Sequence, residues 1–110
     1  MEKDNYFELV YEVTKHIPAG KISTYGAIAD YLCLGSARMV GWALNQLKAG
    51  DQVPAHRVVN RKGELSGRVH FVPPSRMQDL LEKEGVKVED NRVLDFDRHF
   101  WHPKALDDMD

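Results

Sequence analysis

Three features of the sequence predict a mainly α, winged-helix-like domain: three helices with a helix-turn-helix, joined to short β pieces. Apolar residues recur at helical spacing in three successive segments before residue 48. The second and third segments are separated by a tight Gly35-Ser36 junction, as two helices of a helix-turn-helix are. Beyond them, short extended runs flank the turn-forming Asn60-Arg-Lys-Gly63, a wing-like arrangement. At 110 residues the chain reads as one domain, long enough for a single hydrophobic core without staples.

The first helix is expected from about Tyr6 to Ile17. Asn5 is its candidate N-cap, Glu8 follows three residues later, and Tyr6, Leu9, Val10, Val13 and Ile17 share one face. Pro18-Ala-Gly-Lys21 is a turn. The second helix starts after Ser23 or Thr24 and runs through Ala27, Ile28 and Leu32 to a stop at Gly35. Ser36 reads as the N-cap of the third, whose apolar side is Val40, Ala43, Leu44 and Leu47. Lys48-Ala-Gly-Asp51 is a loop, and Val53 to Val59 is too short and too proline-interrupted for a helix. A further helix spans about Ser75 to Glu84 and ends at Gly85, with Val86-Lys-Val88 a short strand. From about residue 89 the tail is acidic and aromatic, and His99-Phe-Trp-His102 is expected to fold back onto the core.

An apolar fraction of 43% and a charged fraction of 29% are those of an ordinary globular protein. No run approaches the roughly 18 apolar residues of a membrane span, and the N-terminus has no signal-peptide core. The single cysteine, Cys33, excludes an internal disulfide and a cysteine-rich zinc site. A monomer in the cytoplasm, nucleoid-associated in a bacterium, is the expectation, with no membrane partner and no cofactor. The net charge of −2 is unevenly spread. Between Ser36 and Arg76, seven basic residues (Arg38, Lys48, Arg57, Arg61, Lys62, Arg68, Arg76) face only Asp51 and Glu64. Such asymmetry fits an anion-binding face beside a repelling back, and equally a chance cluster on a solvated surface.

The stretch "VPAHRVV" (Val53–Val59) frames His56 and Arg57 as reactive side chains often are framed, yet puts Ala55 between proline and histidine. A histidine oriented by a carboxylate, with Glu84 a candidate, would be available for acid-base work. A loop histidine bonded to backbone is the plainer alternative. Nucleophilic catalysis finds nothing here to activate, because Ala55 carries neither thiol nor hydroxyl. Cys33, between Leu32 and Leu34, reads as a small buried helix residue. His99 and His102 have i, i+3 spacing but no third ligand, so no metal site is expected. Arg38, near the start of the third helix, could reach a groove or a phosphate, or simply be solvated.

Four stretches together, "IPAGKISTYGAIADYL", "SARMVGWAL", "VPAHRVVNRKGELSG" and "LLEKEGVKV", resemble the DNA-binding domain of the O6-alkylguanine-DNA alkyltransferases from about Phe7 to Val88. The family signature Pro-Cys-His-Arg-Val stands here as Pro54-Ala55-His56-Arg57-Val58, without the cysteine that accepts the alkyl group. Short single-domain chains with such a replacement are the family's alkyltransferase-like proteins. That resemblance implies recognition of O6-alkylguanine in double-stranded DNA without repair, and transfer of the lesion to nucleotide excision repair proteins. It implies that Tyr25 helps rotate the nucleotide outward and that Arg38 fills the gap left in the stack. Ser36, Ala37 and Gly41 would be the small residues of a recognition helix in the minor groove, and Arg61 and Lys62 would add phosphate contacts. The lesion pocket would be formed by Tyr25, Pro54, Ala55, His56, Arg57, Val58 and Val59, with Ser66 and Gly67 closing over the base and Glu84 bonding the histidine. Two departures stand out: Trp42 replaces a small or polar residue, and the family's hinge asparagine has only Asn45 and Gln46 nearby, out of register. An active alkyltransferase with its cysteine deliberately changed to Ala55, and a general winged-helix DNA-binding regulator, remain alternative readings.

Overall fold

The structure is a computed structural model that describes residues 3–48 and 50–108. Ala49 of the expected loop and Asp110 of the acidic tail lie outside these residues.

Helix α1 (Lys3–Lys15) presents Tyr6, Val10, Val13 and, just beyond its end, Ile17 to the core, as the spacing predicts. Leu9 instead stays 43% exposed. Asn5 is not the cap, because the helix already includes Lys3 and Asp4. The helix ends at Lys15, and His16 and Ile17 continue only as tighter i→i−3 turns (3.0 and 3.1 Å) before Pro18 ends the run.

Ser23–Thr24 form strand β1, and Thr24 then caps helix α2 (Tyr25–Tyr31), its Oγ1 accepting from the Ala27 N–H at 3.0 Å. Helix α2 stops one turn before Gly35. Cys33 N–H donates to Asp30 O (3.2 Å) and Leu34 N–H to Ala29 O (2.9 Å), the paired bonds of a Schellman end. Cys33 therefore holds the left-handed position (φ 58°) that glycine usually takes, and it is exposed rather than buried in a helix. Helix α3 (Ala37–Asn45) begins after Ser36 as expected and buries Val40, Ala43 and Leu44, but the Ser36 hydroxyl makes no capping bond. Helices α1, α2 and α3 share one core, closed by Val58 and by Trp101 of the C-terminal segment.

Strand β2 (Val58–Val59) pairs with β1 in parallel, Ser23 opposite Val58 and Thr24 opposite Val59. Asn60–Gly63 is a turn, as expected, closed by Gly63 N–H to Asn60 O at 2.9 Å. It is held from within by the Asn60 Oδ1, which accepts from the N–H groups of Lys62 (3.0 Å) and Glu64 (2.8 Å). Helix α4 (Arg76–Lys83) ends at Glu84, with Gly85 in the left-handed region (φ 87°). Its Met77 and Leu81 join Ile22, Val59, Leu65 and Val86 in a second buried cluster.

The expected strand is realised one step later, as β3 (Val88–Glu89), paired antiparallel with β4 (Arg92–Val93). The connecting Asp90 and Asn91 both have positive φ (52° and 59°), the requirement of a two-residue hairpin turn. The start of the acidic segment is thus built into the fold as a hairpin. After the short α5 (Phe96–His99) the chain returns to β1's neighbour: Ile22 N–H donates to His99 O (2.9 Å) and Trp101 N–H to Ile22 O (2.7 Å). Among the described residues no helix is long and apolar enough to cross a membrane.

Candidate nucleic-acid interface

With Val40, Ala43 and Leu44 turned inward, helical periodicity turns Ala37, Arg38, Gly41, Trp42 and Asn45 outward together. These residues form one wall of an open cleft of about 500 Å³, and Tyr25, Ser66, Gly67 and His70 form the other. Tyr25 also lines an adjoining depression of about 530 Å³ with Ala37, Arg61 and Lys62. The two hollows make one basic, small-residue surface at the α2–α3 end of the molecule. Among the described residues, none of Arg38, Arg61 and Lys62 pairs with a carboxylate, so their charge is directed to solvent. Burial pushes the Tyr25 phenol up, with the Ser66 hydroxyl working the other way, so it remains a neutral hydroxyl. A Cβ at Gly67 would stand 2.8 Å from the Tyr25 oxygen, so any larger residue there has to push the phenol aside.

The "VPAHRVV" stretch folds for local reasons. Pro54 (φ −78°, ψ 65°) is the centre of an inverse γ-turn, with Ala55 N–H donating to Val53 O at 2.8 Å. One 3₁₀ turn, Ala55–Arg57, follows before the chain enters β2. The turn aims His56 and Arg57 at the Glu84 carboxylate on the far end of α4. Arg57 Nη2 donates to Glu84 Oε2 at 2.6 Å and Nε to Oε1 at 3.0 Å, while Nη1 reaches the Ile17 carbonyl at 2.8 Å. His56 Nε2 lies 3.1 Å from Glu84 Oε2. A carboxylate only accepts, so Nε2 carries the hydrogen. Burial alone would raise the Glu84 carboxyl, but hydrogen bonds from Arg57 and His56, the charge of Arg57 and, once acid protonates the ring, that of His56 hold it down at about 2. Burial lowers the His56 pKa, with Glu84 opposing, which leaves a neutral imidazole donating to an ionised carboxylate.

The residues expected to form one lesion pocket are distributed over several surfaces. Tyr25, Ser66 and Gly67 lie in the cleft beside α3. Ala55 and His56 line a deeper cavity of about 420 Å³ with Leu44, His70 and Arg76, and His70 borders both spaces. Pro54 and Arg57, together with the other edge of His56, open onto a shallow depression beside Lys15 and Asp51. Val58 and Val59 have no exposed surface, because β2 runs beneath the site, so they support it and do not line it. Glu84 braces the wall from behind. Ser36 is exposed at the start of α3 but does not line the cleft. Asn45, the last residue of α3, does line it, whereas Gln46 is the helix cap. His70 escaped sequence reading, since "RVHFVPP" carries no motif and only the path of the chain brings it over Ala55, and Arg76 stood out only as one of seven basic residues. His99 and His102 go separate ways, to Gly20 O (3.0 Å) and to Asp30 (3.3 Å), and no group of three or more metal-ligating side chains occurs among the described residues.

A helix pair whose outer face offers small side chains, unpaired guanidinium and ammonium groups and a cleft defines a nucleic-acid-binding helical domain. Comparison with known proteins makes this specific. The family model described as 6-O-methylguanine DNA methyltransferase, DNA binding domain, matches residues 5–86, and the chain belongs to that family. The chain is 38% identical to alkyltransferase-like protein 1 of Schizosaccharomyces pombe over 108 residues, covering 94% of this chain and all of that protein. It is 37% identical to the DNA base-flipping protein of Escherichia coli K12, over 93% of this chain and 79% of that one. The crystal structure of S. pombe Atl1 in complex with damaged DNA containing O6-carboxymethylguanine superposes with a TM-score of 0.85 at 37% identity, over 94% of this chain and all of that chain.

Proposed function

We propose that this chain recognises O6-alkylguanine in double-stranded DNA by flipping the base, does not repair it, and hands the lesion to nucleotide excision repair proteins. The observation that carries the reading is Ala55: a methyl group stands at the acceptor position while His56, Arg57 and Glu84 keep a bonded frame around it. Without a thiol there is no nucleophile, and the neutral His56 serves as a brace. Extruding a base costs a few kcal/mol of stacking and pairing, less where an adduct already weakens the pair. Arg38 offsets part of that cost by filling the gap, Tyr25 crowds the target phosphate, and Ala37 and Gly41 let the helix backbone approach the groove. Arg61 and Lys62 add phosphate contacts, which make binding salt-sensitive. The base enters under Ser66 and Gly67, and its O6 substituent points toward Ala55. The cavity of about 420 Å³ beside that methyl supports tolerance of bulkier O6 groups than methyl. Such a reader works where the cell keeps its DNA, in the cytoplasm of a bacterium.

Competition binding at fixed salt tests this, with an O6-methylguanine duplex against the same duplex unmodified. Tighter binding of the lesion duplex, with no methyl group transferred to the protein, is expected; equal affinity for the two would refute the reading. Arg38→Ala should weaken lesion binding about tenfold, about 1.4 kcal/mol. Unchanged affinity in that variant would contradict the role given to Arg38.

A further inference from the structure

Trp42 is left without a task by the reading above. On the cleft side of α3 its neighbours are Ala37, Arg38, Gly41 and Asn45, so the indole is the only large apolar group on that wall. It is 54% exposed, unusual for a residue that is normally well buried. Among the described residues its indole N–H donates to no acceptor, and its ring stacks on no other ring.

Its placement relative to Arg38 is specific. Four residues along a helix return to the same side with a rise of about 6 Å. Base pairs are about 3.4 Å apart, so a side chain one turn from Arg38 lies within two base steps of it. Next to each of them a small residue, Ala37 beside Arg38 and Gly41 beside Trp42, leaves room for the backbone to come close to a groove.

We propose that Trp42 is a second DNA-inserting side chain, whose indole enters from the minor groove and packs against a base next to the position that Arg38 fills. This rests on the lesion-recognition reading and adds to it a positioning residue for the opened duplex. The chemistry is that of apolar wedges that enter a base step and hold it unstacked. An aromatic face stacks on any base, so Trp42 contributes grip without sequence preference. The surrounding charge favours this occupant: unpaired Arg38 borders the same cleft, and Arg61 and Lys62 border the adjoining hollow, whose one carboxylate, Glu64, is paired with Arg92. Against unmodified DNA, where no base has left the stack, the indole has no vacated neighbour and contributes less.

The chain has two tryptophans, and Trp101 is packed against the core, its backbone N–H held by Ile22. Fluorescence therefore separates them. In a Trp101→Phe background, and independently as the difference between the unaltered chain and Trp42→Phe, Trp42 emission should be quenched on adding O6-methylguanine duplex. Trp42→Ala should bind that duplex about tenfold more weakly, the order of one lost base–aromatic stack, while losing less on unmodified duplex. Trp42→Phe should recover most of the loss. The exposed site and alanine's helix propensity keep the fold intact, as circular dichroism and thermal melting will show. Unquenched Trp42 emission, or Trp42→Ala binding the lesion duplex as tightly as the unaltered chain, would overturn the proposal; the latter result would assign the indole to a protein partner. If the unaltered chain itself shows no lesion preference, both this inference and the reading beneath it fall.

Discussion

Replacing Glu84 by glutamine removes the charge at the centre of the frame while keeping its shape. The carboxylate accepts three contacts from Arg57, at 2.6, 3.0 and 3.2 Å, and one from His56 at 3.1 Å. Glutamine can still accept on one oxygen, but it leaves a largely enclosed guanidinium without a counter-charge. The drop of the Glu84 carboxyl from 4.5 to about 2 corresponds to about 3.5 kcal/mol at roughly 1.4 kcal/mol for each tenfold change in proton affinity. The side chain is 17% exposed, and solvent there trims the figure to about 2 kcal/mol. A depressed carboxylate contributes its full stability above the unfolded pKa of 4.5 and loses it as pH falls toward 2. Urea unfolding should therefore show Glu84→Gln about 2 kcal/mol less stable at pH 7, and the gap to the unaltered protein should shrink by more than half at pH 3. Taking the difference between the two proteins cancels the other titrating carboxylates. A gap below about 0.5 kcal/mol at pH 7, or one that is the same at both pH values, would refute the assignment of an ionised Glu84 as the keystone.

Two further substitutions probe local geometry. Cys33→Gly relieves a left-handed backbone that costs a non-glycine residue about 1–2 kcal/mol, less the extra freedom glycine has when unfolded. A net gain of about 0.5–1 kcal/mol in thermal unfolding is expected, and a loss would contradict the Schellman end. Gly67→Ala places a methyl against the Tyr25 hydroxyl, which can swing aside at a cost below about 1 kcal/mol of stability. Affinity for the lesion duplex should nevertheless fall several-fold in gel-shift titration, because the displaced phenol blocks the cleft; full affinity would remove Tyr25 and Gly67 from the base's path.

Much of this was legible because helices write locally. Tyr6, Val10, Val13 and Ile17 announce α1 by spacing, and Gly85 announces the end of α4 by chemistry. The same logic misleads at Cys33: Gly35 is the visible stop signal, but the helix ends at Tyr31 and Cys33 itself takes the left-handed position. Strands β1 and β2 are two residues each, too short for any period, and their parallel pairing joins residues 35 positions apart. No local signal can report such a contact. The family resemblance named Glu84 as the partner of His56, and the bond is present, but it could not say that Arg57 would hold that carboxylate more closely. Nor could it foresee that the pocket residues would divide among a cleft, a cavity and a shallow depression. That division depends on where the 68–74 segment crosses over Ala55, a property of the path and not of any residue in it.

Position 55 is hydrogen-bonded to its surroundings through its peptide groups alone, while its methyl group packs at the edge of the first core cluster. Its N–H goes to Val53 O and its carbonyl receives the Val58 N–H, while the side chain faces the cavity. Nothing in the turn is therefore contingent on what that side chain is, provided it fits. On the function proposed above, an exchange at this one position would change what the site can do chemically while leaving the hydrogen bonds of the turn, and so the shape of the wall, as they are.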